Sequence, residues 1–394
     1  MPRLERGSSS QRVERRDSAA PYSRRSSSST GLTKYVAESS LNWEEERSGA
    51  RSWRPPTDRE QLIAALDASA LPPGSSHGPG CERCVFAVSA AFHLKLPPRR
   101  DDWLADGQPG VEEREGQPFS KFLIDVGLGS RASARRAAMY MPSAARHAIY
   151  LASVDGGDAV QPLLQLVADF VSRWFCLPCR LLGSVPPPAE LVWRGTGQSR
   201  QLDSAAVLEF YAAERQRLPD AFAVLAVTAH DLTTAGLNFV FGEADVRRGA
   251  GVFSLARYHP EWGRKGASAS ASAVAAAARA SPRYVRRCCQ LVVHELGHLF
   301  QFEHCVHWEC VMNGANHLDE FDAQPLLLCP ADLRKLATAV NHAVGGFAPI
   351  ARYRRLLEFY HEHGFATEAT WVDARLQELR AAACTGPRCE PCPG

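Results

Sequence analysis

His294-Glu295-Leu296-Gly297-His298-Leu299-Phe300-Gln301-Phe302-Glu303-His304 is the stretch from which the rest of the chain can be read. On a helix, His294 and His298 project about 40° apart, so both rings reach one metal ion. His304 joins them only if the helix stops near residue 300 and the chain turns back. Zinc would then have three nitrogen ligands and one open position. Glu295, next to the first ligand, is placed to hold a water against the metal and take its proton. Zinc makes that transfer feasible at neutral pH by lowering the water pKa from about 15.7 to about 7.

The flanks agree with a helix. Ser281 is a good N-cap and Pro282 suits the first helical position. Tyr284, Val285, Cys288, Cys289, Val292, Val293, Leu296 and Leu299 recur at helical spacing. After His304 come Cys305, Cys310 and Met312, and farther on Cys329-Pro330-Ala331-Asp332.

With these residues the chain resembles the archaemetzincins, zinc metallopeptidases of the metzincin clan. Their pattern is HExxHxxGxxHC, then Cys-x-Met, then CxxC. Asp231-Leu232, the run Asn238 to Ala244 and the run Gly251 to Tyr258 extend the likeness upstream, and a weaker run from Arg146 to Arg194 resembles the family's first strand and helix. The likeness thus covers about residues 146–383, with specific motifs between 231 and 332. The resemblance implies an α/β (α+β) metzincin-like zincin fold: a twisted mixed sheet, an active-site helix and a helical C-terminal subdomain. It implies a zinc-dependent peptidase acting on peptide or protein substrates. The catalytic zinc would sit on His294, His298 and His304 with Glu295 as the base, over a Met-turn at Met312. A second, structural zinc would sit on Cys305, Cys310 and Cys329, with Asp332 at the place of the fourth cysteine.

Two positions depart from the family pattern. Gln301 stands where the family has glycine, at a helix exit that usually takes a left-handed conformation. A side chain there costs about 1–2 kcal/mol, small beside a structural zinc affinity on the order of 10 kcal/mol. Asp332 stands where the second cysteine of CxxC belongs. Aspartate binds zinc at about 2.0–2.2 Å, but an acid in the first turn of a helix is also favoured without any metal; both readings stand. These departures leave an alternative, a catalytically weak or inactive zinc-binding scaffold of the same fold. Glu295 speaks against it, because a scaffold needs no base there.

The chain has 394 residues and a formal charge of +2, too balanced to imply binding to nucleic acid or a membrane surface. It has no apolar run long enough to span a bilayer and no secretory h-region. Its twelve cysteines therefore point to a reducing intracellular compartment, cytoplasmic or nuclear, with thiols free or on metal. Residues 1–58, rich in Arg and Ser, read as a disordered arm, with an organelle transit peptide as the alternative. Residues 59–145 read as an accessory extension, 146–383 as the metallopeptidase domain and 384–394 as a flexible Cys/Pro/Gly-rich tail.

From Ala148 strands and helices alternate, which predicts a mostly parallel twisted sheet. Asn238–Gly242 and Gly251–Tyr258 read as a hairpin whose second strand is the sheet edge beside the active-site helix. The Ser/Ala-rich stretch 267–280 reads as a loop, and the chain after Asp332 as three helices. Arg257 and Tyr258 read either as substrate contacts or as a strand-end packing pair.

Overall fold

The computed structural model describes residues 22–26, 33–38, 116–128, 134–155, 159–183, 193–195, 200–235, 238–262, 270–315 and 318–381. Most of the N-terminal arm and the 384–394 tail lie outside these residues.

Two apolar runs set the centre of the sheet. β3 (Ala148–Ser153) and β7 (Ala221–Thr228) are buried almost throughout and pair in parallel, as strands covered on both faces do. β4 (Cys179–Leu181) pairs in parallel outside β3, and β10 (Ala250–Ser254) in parallel beyond β7. β9 (Val240–Asp245) runs antiparallel to β10. The short strands β5 (Trp193–Arg194), β6 (Gln201–Asp203) and β8 (Leu232–Thr233) continue the sheet past β9.

Alternation along the strands divides the core in two. Ile149, Leu151, Leu225, Val227 and Phe253 face α3 (Gln161–Phe175) and α6 (Pro282–Leu299). Ala148, Tyr150, Val224, Ala226 and Val252 face α4 (Ser204–Arg217), which contributes Val207, Leu208 and Tyr211. α6 is thus enclosed between the sheet and the C-terminal helices, α8 (Pro330–Ala343), α9 (Pro349–Glu362) and α10 (Ala366–Ala381).

Three expectations need correction. β10 is not the edge strand: its parallel pairing with β7 places it inside, and the hairpin turn leaves β9 outermost of the two. The stretch read as a loop contains α5 (Ala271–Ala280), capped by the Ser270 hydroxyl, which accepts from the Ala273 amide at 3.2 Å. Alanine is the strongest helix former, so low complexity here concealed a helix. Ala256–Tyr258 is a 3-10 turn, not the end of a strand.

Within the N-terminal arm, β1 (Tyr22–Ser26) and β2 (Thr33–Glu38) form an antiparallel pair. β2 lies antiparallel on β9, where Glu243, Ala244 and Asp245 pair with β10 on one side and with β2 on the other. The accessory extension supplies α1 (Phe119–Asp125) and α2 (Ala134–Tyr140). Among the described residues, no helix is long and apolar enough to cross a membrane.

Candidate functional site

α6 starts as its sequence predicts, with the Ser281 hydroxyl accepting from the Tyr284 amide at 3.2 Å and Pro282 in the first turn. It ends in a Schellman turn: Gln301 N–H donates to the His298 carbonyl and Phe302 N–H to the Gly297 carbonyl, both at 2.9 Å. Gln301 holds the left-handed position, with φ of 68°. The chain therefore reverses at the place the histidine spacing requires and brings His304 back to the helix.

The three rings meet in a buried cluster. Ring centroids are 4.8 Å apart for His294–His298 and His298–His304, and 5.4 Å for His294–His304. One ligand nitrogen from each lies within 4.8 Å of the others. His294 Nδ1 is 2.7 Å from the Val311 carbonyl and His298 Nδ1 is 2.8 Å from the Phe302 carbonyl. A carbonyl only accepts, so both Nδ1 atoms carry the proton and both Nε2 atoms keep a lone pair. Those two Nε2 atoms are 3.2 Å apart. Two converging lone pairs at that distance repel unless a cation lies against them, so the donor set fits a metal ion. Burial pulls His294 down to about 4 and His298 well below the usual imidazole range, keeping both neutral and ready to ligate. Glu295 is buried on the same helical turn.

Met312 packs against α6 at Gly297, which lies between the two helical histidines in sequence. A Cβ on Gly297 would lie 2.5 Å from the Met312 sulfur and 2.9 Å from its methyl. The Met312 carbonyl accepts from the Cys305 amide at 2.8 Å, tying the turn to the residue after the third histidine.

Cys305, Cys310, Cys329 and Asp332 form a second buried group with ligand atoms within 4.8 Å of one another. Cys305 Sγ is 3.9 Å from Cys329 Sγ, and Asp332 Oδ2 is 3.2 Å from Cys329 Sγ and 3.5 Å from Cys310 Sγ. With zinc–sulfur bonds of about 2.3 Å and zinc–oxygen bonds of about 2.0 Å, a tetrahedral site has edges of roughly 3.5–3.8 Å. The three distances above, 3.2–3.9 Å, lie close to those edges. Hydrogen bonds from the Cys310 and Cys329 thiols hold the Cys305 thiol well below its ordinary range. Asp332 also stands in the first turn of α8, whose N-cap is Cys329, so its two readings are compatible.

Several partners of these groups were not legible in the sequence. The Asn313 amide receives the Cys310 N–H and donates to the Cys305 and Trp308 carbonyls, at 2.7–2.8 Å. Lys335, buried, donates to Asp332 Oδ1 at 2.8 Å. Gln117 and Lys121, from the extension, reach the turn after α6. No spacing rule points to Gln117, Lys121 or Asn313, whose contacts join segments distant in sequence or depend on a loop path. Lys335 stands at helical spacing from Asp332, but its burial follows only from the packing of α8. Arg257 and Tyr258 go into packing: Arg257 makes two 2.7 Å bonds to Asp231, and Tyr258 lies buried with its ring 4.9 Å from that of Phe321.

The model of Peptidase family M54 matches residues 273–338, which hold both buried clusters. Archaemetzincin-2 of Pongo abelii is 30% identical over 248 residues, covering 57% of this chain and 67% of the relative. The chain belongs to the archaemetzincin family. Archaemetzincin-2 of Macaca fascicularis is 33% identical over 184 residues, covering 43% of this chain and 49% of the relative. The chain thus spans about half the length of the Macaca fascicularis protein, 49%, and two thirds of the Pongo abelii protein, 67%. A crystal structure of the archaemetzincin from Archaeoglobus fulgidus is similar at 23% identity and a TM-score of 0.34, covering 48% of this chain and 99% of that one. Against the archaemetzincin pattern, Gln301 and Asp332 are the two departures at the clusters, and the structure accommodates both.

Proposed function

We propose that this chain is a zinc-dependent peptidase with His294, His298 and His304 as the metal ligands and Glu295 as the general base. The observation that carries the reading is the 3.2 Å approach of the His294 and His298 Nε2 atoms, both held as acceptors by carbonyls behind them. When bound there, zinc would lower the pKa of a water to about 7 and polarise the scissile carbonyl.

The chain's own residues supply the remaining chemistry. The Val311 and Phe302 carbonyls fix ring orientation and tautomer and raise the basicity of the opposite nitrogens. Glu295 accepts the proton of the attacking water and delivers it to the departing amine, so one water yields one carboxylate and one amine. Burial excludes bulk water and strengthens these interactions.

A peptide substrate is supported by β9. It packs on α6, and its outer flank already carries an extended strand, Thr33–Glu38, in antiparallel register. An extended peptide would form main-chain bonds in the same way, in place of that strand. Cys305, Cys310, Cys329 and Asp332 are read as the ligands of a second, structural zinc, supported by the convergence of their four buried ligand atoms to within 4.8 Å of one another.

The test is hydrolysis of an internally quenched peptide library by the purified full chain, before and after chelation. Chelation should abolish cleavage and added zinc restore it. Cleavage indifferent to both would reject the proposal.

A further inference from the structure

The extension before the catalytic fold grips Gln301, Phe302 and Glu303, which lie between the end of α6 and His304. Gln117, buried, donates its amide to the Gln301 carbonyl at 3.0 Å and to Asp125 Oδ2 at 2.9 Å. Its amide oxygen accepts the Glu303 N–H at 3.2 Å. Lys121 makes a 2.6 Å ion pair with Glu303. Phe122, fully buried, lies edge-on against Phe302 with ring centroids 5.7 Å apart. Gly116 sits so close to the same loop that a Cβ on it would be 2.5 Å from Val306 Cγ2.

This grip falls on a turn with a conformational problem. Gln301 is left-handed without being glycine, and its own side-chain Nε2 is buried with no hydrogen-bond partner among the described residues. A non-glycine residue there carries left-handed strain, and the amide nitrogen of its side chain offsets none of it among the described residues. The turn nevertheless sets two ligands: the Phe302 carbonyl orients His298, and His304 follows Glu303 directly.

We infer that Gln117 and Lys121 are positioning residues for the metal-binding turn, a clamp that holds Gln301–Glu303 in the strained path and so presets His298 and His304. The inference rests on the reading that the three histidines hold a metal. It gives a role to part of the 59–145 extension, which sequence left without one. The clamp acts by preorganisation: a site whose ligands must be ordered at the moment of binding holds its metal less tightly, and groups that orient ligands typically change metal affinity about 10–100-fold.

The test uses the full chain loaded with cobalt(II). It reads the dissociation constant by chelator competition and the visible d–d bands of the histidine site; the thiolate cluster is distinguished by its sulfur-to-cobalt bands in the near ultraviolet. Gln117→Ala should weaken cobalt binding at the histidines about 10-fold or more and alter the d–d bands. In a Gln301→Gly background, where the turn is unstrained, the same substitution should have a several-fold smaller effect. Lys121→Met, at a partly exposed position, should weaken binding in the same direction by less, and serves if Gln117→Ala does not fold. Wild-type affinity and bands in Gln117→Ala, or an undiminished loss in the glycine background, overturn the clamp. If His298→Ala binds cobalt at the histidines as wild type does, the metal-site reading fails and takes the clamp with it.

Discussion

Asp332 gives one carboxylate oxygen to the buried ammonium of Lys335, at 2.8 Å, and turns the other toward the thiols of Cys310 and Cys329. The aspartate that replaces a cysteine therefore comes with a cation that offsets its charge, one helical turn along α8. Replacing it has two consequences. Asp332→Ala should lose the second zinc, and it should lose about 3–5 kcal/mol of stability because the ammonium is left buried and unpaired. Asp332→Cys should keep the zinc against mild chelator at least as well as wild type. Metal analysis after dialysis, with urea denaturation alongside, reads both; a wild-type protein that never holds a second zinc removes this part of the account.

Gln301→Gly should stabilise the protein. Relief of the left-handed strain is worth about 1–2 kcal/mol, less about 0.4–1 kcal/mol for the freer unfolded chain. The net rise in Tm of roughly 1–3 °C is readable by differential scanning calorimetry. A fall in Tm would mean that the Gln301 side chain contributes packing that outweighs its strain.

Gly297→Ala should do the opposite, although alanine is the better helix former. The added methyl meets the Met312 sulfur at 2.5 Å, and that sulfur is held in a buried turn. Overpacking of this kind costs about 1–3 kcal/mol, against about 1 kcal/mol gained in helix propensity. Weakened metal retention together with a lower Tm is the expected result; an unchanged metal affinity would show that Met312 is not tightly coupled to the ligands.

Much of this was legible from residue spacing. The His294, His298 and His304 pattern required a helix exit near residue 300, and the Schellman turn at Phe300–Gln301 provides it. The alternation of strands and helices predicted the parallel centre of the sheet, where β3 and β7 pair in parallel. The edge was misassigned, since a hairpin read from two apolar runs does not say which strand pairs inward. α5 is hidden in the sequence because its Ser/Ala-rich stretch carries few large apolar residues to mark a helical face. The Gln117 grip and the Asp332–Lys335 pair became visible only with the fold, the first because its partners lie 184 and 186 residues away. Lys335 is three residues from Asp332, but its burial depends on the packing of α8.

Acid should destabilise the metal-free protein well before its carboxylates titrate. In the unfolded chain the imidazoles titrate near 6.5, whereas in the fold burial holds His294 near 4 and His298 well below 6.5. The unfolded state therefore binds protons first as pH falls. Stability present above about pH 6.5 is lost progressively toward pH 4, on the order of 3 kcal/mol from His294 alone. Urea midpoints of chelator-treated protein at pH 7.5 and 5 should differ by more in wild type than in His294→Gln. Equal slopes would mean that the histidines are not buried as neutral groups.

The central claim is that Glu295 moves the proton while the histidines hold the metal, and one variant separates the two. Glu295→Ala, compared with wild type for zinc content and for cleavage of a quenched peptide, should keep the zinc of the histidine site while cleavage falls about 100-fold or more. Unchanged cleavage in a variant that still holds its zinc would contradict the mechanism.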